Sequence, residues 1–129
     1  MTADTRTAIE GARIFVVEDE SVITMLLQDM FEELHCEVVS LASRFQDALD
    51  KANTLSFEVA ILDVNLNGQR TFPIAEALKA RGVPFIFATG YGAAAVPENF
   101  RTAPVLQKPF RIADLERAVR SALNAPRSA

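Results

Sequence analysis

The sequence predicts an α/β protein with a single domain, in which five parallel strands form one doubly wound sheet with helices on both faces. Three observations lead to this prediction. The chain has 129 residues, near the usual size of one domain, and half of them are apolar. Short apolar runs of strand length alternate with segments whose apolar residues recur every three or four positions. Such an alternation favours a parallel sheet with crossover helices on both of its faces.

The first half of the chain contains three strands and two helices in this prediction. The helices show apolar residues spaced at three and four positions, and the third strand is an almost continuous apolar run, typical of a strand covered on both faces. The expected elements are a strand at 13–18, a helix at 20–34, a strand at 37–42, a helix at 44–53 and a strand at 57–63. A polar loop through Asn65, Asn67 and Gly68 is expected next.

The second half continues the alternation, with one weak element. Pro73 is tolerated in the first turn of a helix and Gly82 suits its end, so the third helix is expected between them. Segment 89–103 is interrupted by glycine and proline, which predicts a short or irregular fourth helix. The remaining expected elements are strands at 84–88 and 105–107 and a last helix at 112–123. Residues 1–12 and 125–129 are expected to be disordered tails around a domain that spans residues 13–124.

Composition excludes several classes of function. A net charge of -4 and a pI near 5.0 argue against a surface that binds nucleic acid. The apolar runs are too short to span a membrane and the N-terminus has no signal peptide, so a cytoplasmic protein without a membrane partner is expected. Cys36 and His35 are the only residues of their kinds, which excludes a disulfide framework or a Cys/His metal site within the chain.

Acidic, hydroxyl and basic residues stand at the carboxyl ends of four predicted strands. Glu18 and Asp19 end the first strand and Asp63 ends the third, whereas Thr89 and Lys108 follow the fourth and fifth. Because the carboxyl ends of parallel strands share one edge of a sheet, these side chains should converge there. Three carboxylates, a hydroxyl and an ammonium at one place indicate a magnesium-dependent phosphoryl acceptor.

The expected chemistry assigns a role to each of these side chains. A carboxylate is repelled by an anionic phosphoryl group, and a divalent cation that binds both removes that opposition. Mg²⁺ prefers oxygen ligands, so Asp19 and Asp63 are the candidate direct ligands, with Glu18 close by or acting through water. Lys108 and the hydroxyl of Thr89 are then expected to contact oxygens of a phosphoryl group attached to Asp63.

This ordered set resembles the bacterial response-regulator receiver domain over about residues 12–124. The resemblance implies the strand order 2-1-3-4-5, a cis peptide between Lys108 and Pro109, and Asp63 as the acceptor of phosphate from a sensor histidine kinase. It also implies that the main-chain carbonyl of Asn65 completes the Mg²⁺ shell. The residues Asp-Val-Asn-Leu-Asn-Gly at 63–68 and Phe-Ala-Thr-Gly-Tyr at 87–91 are similar to a receiver subgroup named for the second motif, which is associated with histidine kinases of the HWE type.

Two positions depart from the commoner receiver pattern. Glu18 replaces the more usual Asp, which lengthens that side chain by one methylene. Val105 stands where many receivers have an aromatic residue that moves inward on activation, so a switch through that residue is not expected. Tyr91, or an ordering of segment 89–103 when Thr89 is drawn to the phosphoryl group, is the alternative switch.

The sequence therefore predicts a stand-alone phosphoacceptor, not an enzyme that turns over a separate substrate, although it promotes its own phosphorylation and dephosphorylation. Its partners would be a sensor histidine kinase or a histidine phosphotransfer domain, and a downstream protein. The candidate docking residues are Met25, Pro109, Phe110 and Ile112, with the alternative that Phe110 packs the last helix against the core. Two other hypotheses remain, a receiver-like interaction module that is not phosphorylated and a haloacid-dehalogenase-like phosphatase.

Overall fold

A computed structural model describes residues 8–125 of the chain. It contains seven strands, four α-helices and two short 3-10 helices. The strands are β1 (Arg13–Val17), β2 (Glu37–Ala42), β3 (Val59–Asp63), β4 (Asn65–Leu66), β5 (Gln69–Arg70), β6 (Phe85–Thr89) and β7 (Val105–Gln107). The α-helices are α1 (Ser21–Glu33), α2 (Phe45–Thr54), α3 (Phe72–Ala80) and α4 (Ile112–Asn124), and the 3-10 helices are Gly92–Ala95 and Glu98–Phe100.

Five of the strands form one parallel sheet in the order β2-β1-β3-β6-β7. Counted within this sheet alone, that is the order 2-1-3-4-5, so the predicted fold class is confirmed. The register places Val17 beside Leu62, Asp63 beside Ala88 and Thr89 beside Gln107. The carboxyl ends of β1, β3, β6 and β7 therefore lie at one edge of the sheet.

Both faces of the sheet are covered by helices. Successive residues of a strand point to opposite faces, so one strand contributes to the cores on both sides. In β1, Ile14 and Val16 belong to the core cluster that includes α1 and α4, whereas Phe15 and Val17 belong to the cluster that includes α2 and α3. Each central strand of the sheet therefore contributes apolar side chains to two separate cores, one on each face. Within residues 8–125, no helix combines the length and the apolar character that crossing a membrane requires.

The packed part of the chain begins earlier than the sequence predicts. Ile9 is only 3% exposed, and Ala12 is fully buried in the same core as α1. The backbone of this segment is also paired, since the Gly11 N–H donates to the carbonyl of His35 and the Glu37 N–H donates to the carbonyl of Ala12. The prediction of a disordered tail is therefore wrong for residues 8–12. Residues 1–7 and 126–129, which the same prediction covers, lie outside the described residues.

The segment before β7 is irregular, as the sequence predicts. Its two 3-10 helices are separated by Val96 and Pro97, and together they replace the helix that other βα units of the fold contain. Val96 and Phe100 are buried against β6 and α3, and Arg101 Nε donates to the carbonyl of Val96 at 3.0 Å. The second half of the segment is thus held by the core, whereas Tyr91, Ala93 and Ala94 are exposed.

The polar stretch after Asp63 is more ordered than the expected loop. Strands β4 and β5 pair antiparallel around Asn67 and Gly68, whose φ angles are 52° and 86°. Positive φ at both central residues is the geometry of a tight two-residue hairpin turn, and Asn-Gly is the pair that favours it. We refer to residues 65–70 as the hairpin.

Candidate functional site

Glu18, Asp63 and Lys108 meet at the carboxyl edge of the sheet. Lys108 Nζ lies 3.1 Å from Glu18 Oε1 and 3.2 Å from Asp63 Oδ2. Both carboxylates are buried, whereas the lysine is partly exposed. The sequence places these residues 90 and 45 positions apart, so the contacts bear out the prediction that the strand ends converge.

The backbone around each residue holds it at that edge. The Glu18 N–H donates to the carbonyl of Ala42 at the end of β2, and the Lys108 N–H donates to the carbonyl of Thr89 at the end of β6. The peptide bond between Lys108 and Pro109 is cis, as predicted. Both N–H groups donate to the last residue of a strand of the sheet, so the sheet itself sets the positions of Glu18 and Lys108.

Asp63 is fixed through both its main chain and its side chain. Its Oδ1 accepts the N–H of Asn65 at 3.2 Å, and its carbonyl accepts the hydroxyl of Thr71 at 2.6 Å. Thr71 is fully buried, and its N–H donates to the carbonyl of Val64. Sequence reasoning did not single out Thr71, because its partners lie seven and eight residues earlier and only the closed hairpin brings it back to them.

The carboxylates of Glu18 and Asp63 and the ammonium of Lys108 interact electrostatically. Burial, and to a lesser degree the charge of Asp63, raises the pKa of Glu18 from 4.5 to about 7, although Lys108 offsets part of the effect. Burial alone would lower the pKa of Lys108, but Asp63 and Glu18 outweigh it and the pKa lies above its usual value of 10.5. Lys108 is therefore a charged group held between the two acids.

The residues after β1 offer a set of oxygen donors to a cation. Carboxylate oxygens of Glu18, Asp19 and Glu20 lie within 4.8 Å of one another. Hard carboxylate oxygens are the donors that Mg²⁺ prefers, so this set fits the predicted metal. Glu20 was not among the predicted ligands, although the run of three acids at 18–20 was the available signal. The N–H of Asn65 donates to Asp63 Oδ1. The role of the Asn65 main-chain carbonyl as a ligand of the cation stays a prediction.

Asp19 stands apart from the Glu18–Lys108–Asp63 contacts and is held by the hairpin. Its Oδ2 accepts the N–H of Asn67 at 2.8 Å, and the side-chain amide of Asn67 donates to the carbonyl of Ser43 at 2.9 Å. The tip of the hairpin is therefore joined to the loops that follow β1 and β2. Asp19 is partly exposed, on the solvent side of the site.

Thr89 lies at the same edge with a different partner. Its side chain is buried, and its Oγ1 accepts the N–H of Tyr91 at 3.1 Å. The ring of Tyr91 is 85% exposed. The Thr89 hydroxyl thus bonds to the start of the irregular segment. Glu18 and Asp63, in contrast, both contact Lys108 directly.

The candidate docking residues divide into exposed and buried ones. Met25 is 63% exposed, but Phe110 is buried in the core cluster with α4, so its proposed docking role is wrong and the packing alternative is correct. Val22 and Leu26, which share the three-and-four spacing of the apolar residues in this helix, are 74% and 40% exposed. Together with Met25 they form an exposed apolar surface on α1, which we refer to as the α1 surface.

The family model of the response regulator receiver domain matches residues 14–120. The chain belongs to this family. Receiver domains are signalling domains, and this receiver domain has the five-stranded sheet and the acidic edge described above.

Two curated transcriptional regulatory proteins and one solved structure illustrate what this receiver domain is similar to. TdiR of Thauera aromatica is 32% identical over 88% of this chain and 52% of its own length, and PdtaR of Mycobacterium tuberculosis is 28% identical over 87% and 57%. The chain thus spans about half the length of these curated relatives. The solution structure of SdrG from Sphingomonas melonis Fr1 is 41% identical, with a TM-score of 0.78, over 88% of this chain and 97% of that chain.

Proposed function

We propose that this receiver domain accepts a phosphoryl group on Asp63 from a sensor histidine kinase or a histidine phosphotransfer domain, with Mg²⁺ bound beside it. The observation that carries the proposal is the position of Lys108 Nζ, in contact with both Glu18 and Asp63. An ammonium already beside the acceptor can contact oxygens of a phosphoryl group attached there, and such charge-assisted contacts are strong.

In the transfer, an oxygen of the Asp63 carboxylate attacks the phosphorus of the donor phosphohistidine. The P–N bond breaks, and its electron pair stays with the imidazole of the donor. Lys108 then contacts one oxygen of the transferred group and the Thr89 hydroxyl donates to another. Because Thr89 Oγ1 accepts from the Tyr91 N–H, its own proton remains available for that donation.

Four residues would hold the cation. Asp19 and Asp63 would bind it directly, Glu18 would lie close to it or act through water, and the main-chain carbonyl of Asn65 would complete the set. When bound, Mg²⁺ supplies the positive charge that allows an anionic carboxylate and an anionic phosphoryl group to approach each other. Glu20 adds a further carboxylate on the solvent side of the same group.

The α1 surface is the proposed contact for the phosphoryl donor. Helix α1 begins directly after the acidic residues 18–20, so its first two turns, which carry the apolar surface, start at the acidic edge of the sheet. Exposed apolar side chains that form a continuous surface are typical of protein interaction sites, and a helical phosphotransfer domain presents an apolar helix face that fits such a surface. Pro109, which directly follows Lys108, is exposed, and Ile112 is partly exposed, so both stay candidate docking residues.

The signal would leave through protein contacts, as a phosphorelay step or by binding of a downstream protein. The Phe-Ala-Thr-Gly-Tyr motif favours a kinase of the HWE type as the donor. The relative SdrG, 40% identical over 92% of this chain, has been solved in a BeF3-activated conformation, and BeF3 has the charge and shape of a phosphoryl group. Tyr91 and segment 89–103 are the proposed switch, since Thr89 connects them to the site.

The chemistry is tested by incubation with acetyl phosphate and Mg²⁺, followed by intact mass measurement. The wild type should gain one phosphoryl group, Asp63→Ala should gain none, and Asp29→Ala should behave as the wild type because Asp29 is an exposed acid of α1. A gain that persists in Asp63→Ala, or that needs no divalent cation, would contradict the proposal.

The donor contact is tested with phosphorylated kinases of the HWE type. Met25→Arg should slow transfer from the kinase at least 10-fold, in the range of a lost interface contact worth about 2 kcal/mol, while labelling by acetyl phosphate is unchanged. Gln28→Arg adds the same charge to the same helix at an exposed polar position and should have little effect. Equal slowing by both variants would indicate a general effect of charge.

The two other hypotheses make different predictions in these assays. An interaction module that is not phosphorylated should show no mass gain with any donor. A phosphatase of the haloacid-dehalogenase type should show sustained turnover of a small phosphate ester, abolished by Asp63→Asn. The position of Asp63 at the end of the third strand of the chain, followed by Val64 and Asn65 and not by a second acid, disfavours the phosphatase.

A further inference from the structure

The hairpin is fixed at three places, although it is only six residues long. Leu66 is fully buried in the core that includes α2 and α3. At the base, the hydroxyl of Thr71 donates to the carbonyl of Asp63, and at the tip Asn67 bonds to Asp19 and Ser43. A short hairpin alone is marginally stable in water, so these contacts determine its position.

The contacts of the hairpin form a continuous path between two site residues. The path runs from Asp63 through Asn65 and Thr71 into the hairpin, and from Asn67 to Asp19. Asp19 Oδ2 accepts the N–H of Asn67, and no other hydrogen bond of Asp19 is found among residues 8–125. One carboxylate oxygen of Asp19 is thus oriented by the hairpin, while the other is left for a ligand from outside.

We infer that Asn67 is a positioning residue, which holds the Asp19 carboxylate in the orientation needed to bind the cation. The inference rests on the proposed function, because it assigns to the hairpin the support of the same Mg²⁺ site. Partners that orient a ligating carboxylate contribute to metal affinity although they do not touch the metal. Asn67 acts through its backbone N–H on Asp19 and through its side-chain amide on Ser43, which fixes the tip against the neighbouring loop.

The residue type at position 67 serves both contacts. Its φ of 52° lies in the left-handed region, which asparagine tolerates better than most residues and glycine better still. The amide to Ser43 requires a side-chain donor, which glycine and alanine lack. Asn67→Gly therefore removes only the side-chain contact, whereas Asn67→Ala removes it and also strains the turn.

The test compares Mg²⁺ affinity by calorimetry for the wild type, Asn67→Gly, Asn67→Ala and Gln69→Ala. Asn67→Ala should weaken binding about 10-fold, at the lower end of the range for partners of metal ligands, and Asn67→Gly by about 3-fold. Gln69 is an exposed residue of β5, so its truncation changes the same hairpin without touching Asp19 and should leave the affinity unchanged.

A second measurement separates positioning from a loss of stability. In the wild type, the backbone amide resonance of Asn67 should move as Mg²⁺ is added, with the same dissociation constant as in calorimetry. Affinities within 2-fold of the wild type for both Asn67 variants would overturn the inference, and so would a loss of affinity that Gln69→Ala shares. Failure of the wild type to bind Mg²⁺ or to take up a phosphoryl group would instead overturn the proposed function, and the inference with it.

Discussion

Glu18→Gln should change how the stability of the metal-free protein depends on pH. Burial and the charge of Asp63 raise the pKa of Glu18 to about 7 in the folded protein, compared with 4.5 for an ordinary glutamate. The folded state therefore binds a proton at Glu18 more tightly than the unfolded state does. Glutamine keeps the size of the side chain and an acceptor for Lys108 Nζ, but it cannot titrate.

The sign and size of the effect follow from linkage. A group whose pKa is raised by folding contributes stability that is fully present below its unfolded pKa and is lost as the pH rises through its folded pKa. With pKa values of 4.5 and about 7, this contribution falls by about 2.5 kcal/mol between about pH 5 and about pH 8. The stability of the wild type relative to Glu18→Gln should decrease by that amount over the same interval.

The assay is urea unfolding in a chelating buffer, at several pH values, for the wild type, Glu18→Gln and Glu20→Gln. The difference between the wild type and Glu18→Gln isolates the titration of Glu18 from that of the other acids. Glu20 is an exposed neighbour in the same acidic run, and its substitution should leave the pH dependence of the wild type in place. A difference between the wild type and Glu18→Gln that stays within about 0.5 kcal/mol over the interval, or that grows with pH, would refute the reasoning.

Three further outcomes are expected. If Mg²⁺ binds as proposed and displaces the proton of Glu18, the wild type should bind Mg²⁺ about 10-fold more tightly at about pH 8 than at about pH 6, and calorimetry should show no such gain in Glu18→Gln. Phe100→Ala should cost about 3 to 5 kcal/mol in urea unfolding, because the ring is buried against three other phenylalanines; a loss below about 1 kcal/mol would contradict that packing. Gly92→Ala should cost about 1 to 2 kcal/mol, since φ is 73° and the added carbon would lie 3.2 Å from Gln107 Oε1; an unchanged unfolding midpoint would argue against it.

The sheet and its acidic edge could be predicted because both depend on short-range signals. Buried parallel strands are nearly continuous apolar runs, and the first polar residue after such a run marks the strand end. Asp63 closes β3 in the structure as in the prediction, and Glu18 and Lys108 follow β1 and β7 directly. The parallel topology then brings these positions to one edge without any further information.

The exposure of α1 could not be predicted from the same kind of pattern. Apolar residues at spacings of three and four run along the whole helix, but the sheet covers only the side that carries Leu27 and Phe31. Val22 and Leu26 share the periodicity and remain exposed. A periodic pattern gives the direction of an apolar face but not its width, and the excess width is the part available to a partner.

The hairpin shows a different limit. Its two strands have two residues each, too short for an alternating pattern, so Asn67-Gly68 alone indicated a turn. The partner of Asn67 lies 48 positions earlier in the sequence. Nothing local in the sequence shows that a turn residue contacts a carboxylate so distant along the chain, and only the closed sheet brings them together.

The bonds at the carboxyl edge divide the site into a fixed side and a side joined to an irregular segment. On the first, Glu18 and Asp63 share Lys108, and Asp19 is bound to the hairpin. On the second, the Thr89 hydroxyl accepts only the N–H of Tyr91 among residues 8–125, and the residues just beyond are exposed and form a single 3-10 turn. Residues around Asp63 on the first side are therefore held by several contacts, whereas the segment on the second side is held by fewer.

We expect the structural response to phosphorylation of Asp63 to begin at Thr89 and to pass along residues 90–95. It should end at Val96 and Phe100, which are buried in the core.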